Sequence, residues 1–156
     1  MNTVYIEALQ NAEETEIEIK RVDIDEAEMD EMWSYYHDKG HQIWLWHAID
    51  HRNGVVLAYT FGTRKHKVLD ELLALLKPFN IHKVYADKNF AYEKKIGKDK
   101  LESGKKNTQR IERKHLTLRT RVKRLARKTI CFSKTERMHK IVVGLLINVL
   151  EFALIL

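Results

Sequence analysis

Glu112 is the one acid in a strongly basic stretch of the sequence, NTQRIERKHLTLRTRVKRLARK (107–128). A carboxylate on a helix commonly pairs with a Lys or Arg three or four positions away. Those four positions hold Thr108, Gln109, His115 and Leu116. Because none of them is Lys or Arg, we expect the Glu112 carboxylate to face a group outside its own helix.

Two other acids fall at comparable places. Asp30 lies within a predicted strand, between Met29 and Met32, where a buried and unpaired carboxylate is costly. Asp87 closes a later predicted strand, and ligands gather at strand ends of open α/β sheets. Three carboxylates that converge there would hold two divalent ions, which clamp the attacking and leaving oxygens of a phosphoryl displacement. Oxygen ligands alone favour Mg²⁺ or Mn²⁺ over zinc.

Each acid also has a purely structural explanation. Asp30 could be a solvent-facing residue of an edge strand, and Asp87 could begin a turn. Glu112 could pair with a cation on another element. Asp50 ends a predicted strand as well, but the sequence IDHRNG (49–54) explains it as turn chemistry.

Four of the eight histidines lie close together, at positions 37, 41, 47 and 51. Neither an HExxH pair nor paired cysteines accompany them, so the pattern does not indicate zinc. Surface and strand positions explain them better. The single cysteine, Cys131, excludes an internal disulfide and a thiolate metal site, which is typical of a cytosolic chain.

Charge is distributed unevenly along the 156 residues, which are enough for one domain with a real core. Residues 1–31 carry eleven acids against two bases, whereas residues 105–140 carry fourteen Lys and Arg against two acids. The change from −9 to +12 favours a polyanion as the partner of the basic region. A solvated basic helix without a ligand is the alternative.

Turn signals and periodicity divide the chain into elements. Strands are predicted over 26–40, 41–50, 55–62 and 81–87. An Asn-Gly pair between the second and third strands predicts a hairpin. A helix is predicted over 63–79, from an apolar stripe of Val68, Leu72, Leu75 and Leu76 that Pro78 helps to stop. Residues 90–106 are predicted to form a short helix and polar turns, with room for a short edge strand.

The basic stretch is predicted to be one helix over 107–128 with Asn107 as its N-cap. Its core stripe is Ile111, Leu118, Val122 and Leu125. The order β-β-β-α-β-(α)-α predicts the α/β class. Its predicted form is an RNase H-like mixed sheet, with an antiparallel three-strand meander flanked by helices.

The ends of the chain differ in composition from its middle. We divide it into an acidic lead-in (1–25), an RNase H-like domain (26–140) and an apolar tail (141–156). The acidic start does not resemble a signal peptide. The tail contains Asn148 and Glu151 and is shorter than the roughly 20 residues that span a bilayer. A buried helix or strand, or an interface, is therefore favoured over a membrane anchor.

Four segments resemble the catalytic (InsB) reading frame of the insertion-sequence-one transposases. They are EMDEMW (28–33), WLWHAIDHRNGVVLAYTFGTR (44–64), LLALLKPFNI (72–81) and NTQRIERKHLTLRTRVKRLARKTICFSK (107–134). The resemblance covers about residues 26–140, and the last segment is the most specific. It implies an RNase H-like DDE recombinase core that uses Mg²⁺ or Mn²⁺.

By position, the resemblance implies that Asp30, Asp87 and Glu112 are the catalytic, metal-binding acids. The 24 residues between Asp87 and Glu112 match the short spacing of the family. The implied reaction is strand cleavage at the ends of the element, followed by strand transfer. We expect seven basic residues to neutralise DNA phosphates: Arg110, Arg113, Lys114, Arg119, Arg121, Lys123 and Arg124.

The expected partners are double-stranded DNA, as element ends and as target, and further copies of the chain on that DNA. The family's zinc-finger and helix-turn-helix region commonly comes from an upstream frame, and no CxxC spacing indicates one here. We therefore expect an upstream-frame DNA-recognition partner or fusion. The expected location is the cytoplasm, associated with the nucleoid.

Two features keep other functions open. The second-acid motif of the family generally reads Thr-Asp-Gly-Trp, whereas this chain has ADKN (86–89), and the resemblance weakens after residue 140. A catalytically inactive DNA-binding remnant or regulator of transposition is therefore the main alternative. A tail-mediated membrane or oligomer module is a third hypothesis. An RNase H-type nuclease would share the fold and the acids.

Overall fold

A five-stranded mixed sheet lies at the centre of the computed structural model, which describes residues 23–88 and 90–152. Its strands are β1 (Glu26–Tyr35), β2 (Gln42–Asp50), β3 (Val56–Gly62), β4 (Lys83–Ala86) and β5 (Leu101–Ser103). They lie in the order β3-β2-β1-β4-β5. β1, β2 and β3 pair antiparallel, and β4 and β5 continue the sheet parallel to β1. The predicted meander and mixed sheet are confirmed.

The turn between β2 and β3 is held by the side chains that begin it. Asp50 Oδ1 accepts a hydrogen bond from the Arg52 N–H at 2.8 Å, and Asn53 Oδ1 accepts one from the Val55 N–H at 2.9 Å. Gly54 has a φ of 73°, a conformation that glycine adopts at low cost. The turn role predicted for Asp50 is therefore confirmed, and only the glycine of the Asn-Gly pair needs the left-handed conformation.

Four α-helices accompany the sheet within the described ranges: α1 (His66–Leu76), α2 (Phe90–Ile96), α3 (Gln109–Arg121) and α4 (Glu136–Phe152). α1 is the helix predicted over 63–79, but a 3₁₀ turn over Lys77–Phe79, which contains the proline, replaces its end. α2 and β5 are the short helix and the edge strand predicted within 90–106.

Alternation along β1 directs its side chains into two different cores. Ala27 and Met29 pack with Leu69 and Leu72 of α1. Met32 points to the other face. The cluster there also contains Leu45, Leu118, Val122, Leu125, Val143 and Ile147. The sheet is therefore covered by α1 on one face and by α3, the turn after it and α4 on the other.

α3 is shorter than the helix predicted over 107–128. It ends at Arg121, and a 3₁₀ turn over Lys123–Leu125 follows. The sequence has no glycine or proline at this point, so the pattern contained no stop signal. The predicted stripe is nonetheless buried throughout: Ile111, Leu118, Val122 and Leu125.

The predicted N-cap of α3 is wrong by one residue. A 3₁₀ turn over Lys105–Asn107 precedes the helix, and Thr108 occupies the cap position. Asn107 Nδ2 instead donates a hydrogen bond to Glu102 Oε1 of β5 at 2.9 Å. Asn107 therefore ties the approach to the helix to the edge strand.

α4 carries the apolar run that crosses residue 140. Val143, Gly144 and Ile147 are buried, and Tyr59 Oη of β3 donates to the Gly144 carbonyl at 3.1 Å. The sequence boundary drawn between residues 140 and 141 lies inside this helix. No helix among the described residues has the length and apolarity needed to cross a membrane. Residues 1–22, most of the acidic lead-in, and residues 153–156 lie outside the described ranges.

His139 links α4 to β1 from a fully buried position. Its Nε2 lies 2.9 Å from Ser34 Oγ, and its Nδ1 has no hydrogen-bond partner among the described residues. Burial, with added repulsion from Arg124, lowers the pKa of His139 from 6.5 to about 4. Between those pH values the unfolded chain binds a proton that the folded chain does not. The fold therefore loses stability as the pH falls from about 6.5 to about 4.

We expect His139→Gln to reduce this acid sensitivity, because glutamine can contact Ser34 without titrating. Between pH 7 and pH 4, the wild-type chain should lose about 3 kcal/mol more of its free energy of unfolding than the variant loses. Urea unfolding at both pH values measures this difference. His82→Gln, at an exposed position, is the control and should follow the wild type. Equal losses in wild type and His139→Gln would contradict the prediction.

Candidate active site

Asp30 lies near the middle of β1, on the face that α3 covers. Its side chain is 24% exposed, and Oδ2 lies 3.7 Å from His115 Nδ1 of α3. Oδ1 accepts a hydrogen bond from the Glu31 N–H at 2.8 Å. β1 pairs with β2 on one side and with β4 on the other. The alternative of a solvent-facing edge-strand residue is therefore wrong, because β1 is the central strand.

Asp87 is the first residue after β4, as its position in the sequence predicted. Met29 of β1 pairs with Ala86 of β4 in parallel register, so the residues that follow them, Asp30 and Asp87, come next to each other. Asp87 Oδ1 accepts a hydrogen bond from the Lys88 N–H at 2.8 Å, as in a turn. The exposed side chain of Asp87 thus begins a turn and also lies beside the first acid.

Glu112 lies in the first turn of α3 and is exposed. No Lys or Arg in the described part of the chain forms an ion pair with it. α3 packs against β1, and this packing brings Glu112 within electrostatic reach of Asp30. Outside its own helix, the charge of Glu112 acts on another acid, Asp30.

Burial, with added repulsion from neighbouring carboxylates, dominates the electrostatics of Asp30. The pKa of Asp30 is raised from 3.8 to about 7, first because the carboxyl is buried. Repulsion from Glu31, Asp87 and Glu112 raises it further, and the backbone hydrogen bond from Glu31 opposes the shift. Asp87 and Glu112 therefore both lie within electrostatic reach of Asp30.

The donor atoms at this site suit a hard divalent cation. They are carboxylate oxygens, which Mg²⁺ and Mn²⁺ prefer, and their mutual repulsion would be relieved by positive charge. Within residues 23–88 and 90–152, no three His, Cys, Asp or Glu side chains are already arranged to hold a metal ion. The residues fit the cation by the chemistry of their donor atoms, while their side chains are not arranged in a ligand cage.

The seven basic residues expected to contact DNA fall into two groups. Four of them are exposed: Arg110, Arg113, Arg121 and Lys123. The other three have contacts or burial within the protein. Lys114 Nζ lies 2.9 Å from Glu151 Oε2 of α4, and Arg124 donates to Ser133 Oγ at 2.9 Å. Lys114 and Arg124 are therefore less free to meet a phosphate than the exposed group.

Arg119 differs from the other cations of α3 because it is half-buried near the acids. Its Nε has no hydrogen-bond partner among the described residues. Burial and repulsion from Arg127 lower the pKa of Arg119, whereas attraction to Asp30 raises it. Arg119 therefore lies where a phosphate held near the acids could be contacted.

A buried histidine pair beneath α3 was not recognised in the sequence as part of the site. His47 lies opposite Asp30 in the β1–β2 register, and its ring centroid is 4.8 Å from that of His115. Burial first, then repulsion from His115 and Lys114, lowers the pKa of His47 well below 6.5. Burial also lowers the pKa of His115, to about 4. Both rings are therefore neutral at pH 7 and pack between the sheet and α3. The strand position predicted for His47 is correct, but its partner lies 68 residues away.

Glu28 is the second feature that sequence reasoning missed. It is fully buried on β1. Its Oε2 accepts a hydrogen bond from the Ile111 N–H of α3 at 2.8 Å, and its Oε1 lies 2.7 Å from His51 Nδ1. Glu28 precedes Asp30 by two residues, so strand alternation places both side chains on the same face. That spacing was the available signal.

Trp33 and Trp44 lie opposite each other in the β1–β2 register and are half-buried. The Arg127 guanidinium lies 5.6 Å from the Trp33 ring centroid, and that of Arg64 lies 4.9 Å from the Trp44 ring centroid. Each indole is therefore covered by a cation of the chain itself. Contacts within the chain therefore account for both tryptophans.

Comparison with known families identifies close relatives over most of the chain. The family model described as IS1 transposase matches residues 24–153. The insertion element iso-IS1n protein InsB of Shigella dysenteriae is 53% identical over 122 residues, which are 78% of this chain and 93% of that protein. The IS1 protein InsB of Shigella sonnei is 40% identical over 127 residues, or 81% of this chain and 96% of that protein.

Solved structures share the fold at much lower identity. The catalytic core domain of BIV integrase matches with a TM-score of 0.54 at 14% identity, over 81% of this chain and 83% of that one. A chain of the simian T-cell lymphotropic virus intasome, in complex with PP2A regulatory subunit B56 gamma, matches with a TM-score of 0.59 at 13% identity. That match covers 87% of this chain and 51% of the other. The predicted RNase H-like fold is confirmed.

We expect Asp30→Asn to stabilise the metal-free chain, because asparagine keeps the shape of the side chain without its buried charge. Folding raises the pKa of the Asp30 carboxyl, so the folded chain loses stability as the pH rises from 3.8 to about 7. At pH 8 in EDTA, the variant should gain up to about 4 kcal/mol in free energy of unfolding. Urea unfolding measures this gain. Asp87→Asn, at an exposed acid, should give a smaller gain, and an Asp30→Asn variant no more stable than wild type would contradict the prediction.

Proposed function

Because this chain belongs to the IS1 transposase family, we propose that it is the catalytic subunit that cuts and rejoins DNA at the ends of an insertion sequence. The observation that supports this most strongly is the strand register that places Asp30 next to Asp87, together with the packing of α3, which carries Glu112, against β1. These acids come from β1, from the end of β4 and from α3. Asp87 and Glu112 are exposed, so the cluster is open to a large substrate.

In the proposed reaction, water attacks a phosphodiester phosphorus, and the bond from phosphorus to O3′ breaks to leave a free 3′-hydroxyl. That hydroxyl then attacks a target phosphodiester, forms the new phosphorus–oxygen bond and releases a 3′-hydroxyl of the target. Asp30 and Asp87 would hold the divalent cations, Mg²⁺ or Mn²⁺, and Glu112 would complete the second position. When bound, such ions stabilise the charge that develops on the attacking and leaving oxygens.

The exposed cations of α3 and the turn after it would position the DNA. Arg110 and Arg113 lie in the same helix as Glu112, and Arg121 ends it. Their contacts would neutralise phosphates without reading sequence. Arg119, half-buried and near Asp30, would contact the phosphate closest to the reacting group. Lys114 would contribute less, because Glu151 already neutralises it.

The proposed partners follow from what a cutting and joining subunit needs. They are double-stranded DNA as element end and as target, an upstream-frame DNA-recognition partner or fusion, and further copies of the chain assembled on the DNA. The proposed place of action is the nucleoid in the cytoplasm.

The second candidate function is a catalytically inactive DNA-binding remnant or regulator of transposition. The residues after the second acid, ADKN in this chain, motivate it. The Lys88 backbone N–H bonds to the Asp87 carboxylate and occupies one of its acceptor sites. Such a chain would keep the basic surface and bind DNA, but would not cleave it in the presence of metal.

We expect the wild-type chain, supplied with its DNA-recognition partner, to nick element-end duplex in Mg²⁺. Asp30→Asn, Asp87→Asn and Glu112→Gln should each lower the nicking rate at least 1,000-fold, an order expected when transition-state charge stabilisation is lost. Gel analysis of end-labelled duplex measures the rate, with Asp50→Asn as a control at a carboxylate of the β2–β3 turn. Three variants with wild-type rates would contradict the site. DNA binding without nicking by wild type would favour the inactive remnant.

Replacing exposed cations of α3 should lower the affinity for DNA and also reduce the salt dependence of that affinity. For Arg113→Ala with Arg121→Ala, the slope of log K against log salt should become shallower by about 0.9 for each phosphate that the variant no longer neutralises, on any DNA sequence. Fluorescence anisotropy at several salt concentrations measures the slope. Lys67→Ala, an exposed cation on α1, which covers the other face of the sheet, is the control. An unchanged slope would show that DNA does not use this surface.

A further inference from the structure

Glu28 is a charged side chain with no exposure to solvent, and the catalytic proposal gives it no role. Its two carboxylate oxygens contact different elements. Oε2 accepts a hydrogen bond from the Ile111 N–H of α3 at 2.8 Å, and Oε1 lies 2.7 Å from His51 Nδ1 at the β2–β3 turn. An unpaired buried carboxylate costs several kcal/mol. Both contacts are therefore needed to keep Glu28 where it is.

The contact with Ile111 replaces a helix cap. The first backbone N–H groups of an α-helix have no partner within the helix. Thr108 occupies the cap position of α3, but its side chain makes no capping hydrogen bond and bonds instead to the Lys105 carbonyl. Ile111 is the third residue of the helix, where a capping side chain usually accepts a hydrogen bond. Glu28 supplies that acceptor from the central strand, with its negative charge at the positive end of the helix dipole.

This hydrogen bond joins two residues that are near neighbours of two of the acids in the sequence. Glu28 is two residues before Asp30 on the same face of β1, and Ile111 immediately precedes Glu112 on α3. The Glu28–Ile111 contact therefore fixes the start of α3 against β1, close to Asp30 and Glu112 in the sequence. We propose that Glu28 is a positioning residue, which holds Glu112 close enough to Asp30 for both to bind the same metal site. This proposal rests on the proposed function.

His51 extends the same connection toward the strand of the second acid. Its ring centroid lies 4.8 Å from that of Tyr85 on β4, two residues before Asp87. Tyr85 Oη in turn donates to Glu26 Oε1 on β1 at 2.8 Å. Glu28 thus belongs to a set of contacts that joins every element carrying one of the three acids.

The test compares Glu28→Ala with Glu28→Gln, in the full chain with its DNA-recognition partner. Alanine removes the acceptor for the Ile111 N–H, whereas glutamine keeps a carbonyl oxygen in the same place. We expect Glu28→Ala to raise the Mn²⁺ concentration for half-maximal nicking at least tenfold, with the KM for DNA changed less than twofold. Glu28→Gln should restore the metal requirement to within about threefold of wild type.

Two controls separate positioning from loss of stability. Tyr59→Phe removes the hydrogen bonds to Gly144 and Asn148 of α4. It should lower the melting temperature without changing the Mn²⁺ requirement. In the second control, Glu28→Ala is added to Glu112→Ala, and Mn²⁺ affinity is measured by titration calorimetry. If Glu28 acts through Glu112, the double variant binds Mn²⁺ as weakly as Glu112→Ala alone. A further loss of affinity, or a wild-type Mn²⁺ requirement in folded Glu28→Ala, would overturn the proposal.

A metal-free measurement separates this proposal from the proposed function. Amide hydrogen exchange in EDTA should show faster exchange at the start of α3 in Glu28→Ala, with the end of α3 and α4 unchanged. Unchanged exchange at the Ile111 N–H would overturn the positioning role even if the chain cleaves DNA. If wild type binds no Mn²⁺, the proposed function fails. In that case, faster exchange at the start of α3 in Glu28→Ala would show that Glu28 has a structural contact with the helix. It would overturn the proposal that Glu28 positions a metal ligand.

Discussion

The parallel pairing of β1 with β4 is the constraint on which the arrangement of the acids depends. Parallel strands need a crossover connection, and α1 supplies it by packing on one face of the sheet. The register that places Met29 against Ala86 then puts the following residues, Asp30 and Asp87, side by side. Met29 points into the core under α1, so the next side chain must point to the opposite face, toward α3. Packing on one side of the sheet therefore determines where the acids lie on the other.

The charged carboxyl of Asp30 destabilises the fold, and other interactions must offset this cost. A half-buried carboxyl near three other carboxylates has its pKa raised to about 7, so its charged form opposes folding at neutral pH. The two histidines near it do not neutralise that charge. His47 and His115 stay neutral, because burial lowers the pKa of each. Burial in the apolar clusters on both faces of the sheet helps to offset this cost, and a cation that entered the site would reduce it.

Much of the fold was predictable from sequence, and so were the elements on which Asp30, Asp87 and Glu112 lie, because local patterns determine both. Strand alternation, the Asn-Gly turn and the stripe of α1 identified the elements, and the spacing around Glu112 excluded a partner within its helix. The missing parts depend on contacts between distant residues. The 3₁₀ turn after Arg121 has no glycine or proline to mark it. The spacing of Glu28 and Asp30 indicated that they share a face of β1. The role of Glu28 could not be predicted, because its partner is a backbone N–H 83 residues away and backbone groups leave no trace in a sequence pattern.

The altered residues after the second acid have less effect on its position than the motif suggests. Asp87 follows β4 directly, and β4 is held between β1 and β5, with the Gly104 N–H bonded to the Ala86 carbonyl at 3.0 Å. The direction in which the chain leaves β4 is thus fixed before Lys88 is reached. Lys88 does change the charge that follows the second acid in the sequence, because a lysine stands where the resemblance leads us to expect a small neutral residue. Under the proposed function, a cation at this place would oppose metal binding and favour a phosphate, so the substitution would affect the balance between cleavage and DNA binding more than the geometry of the acids.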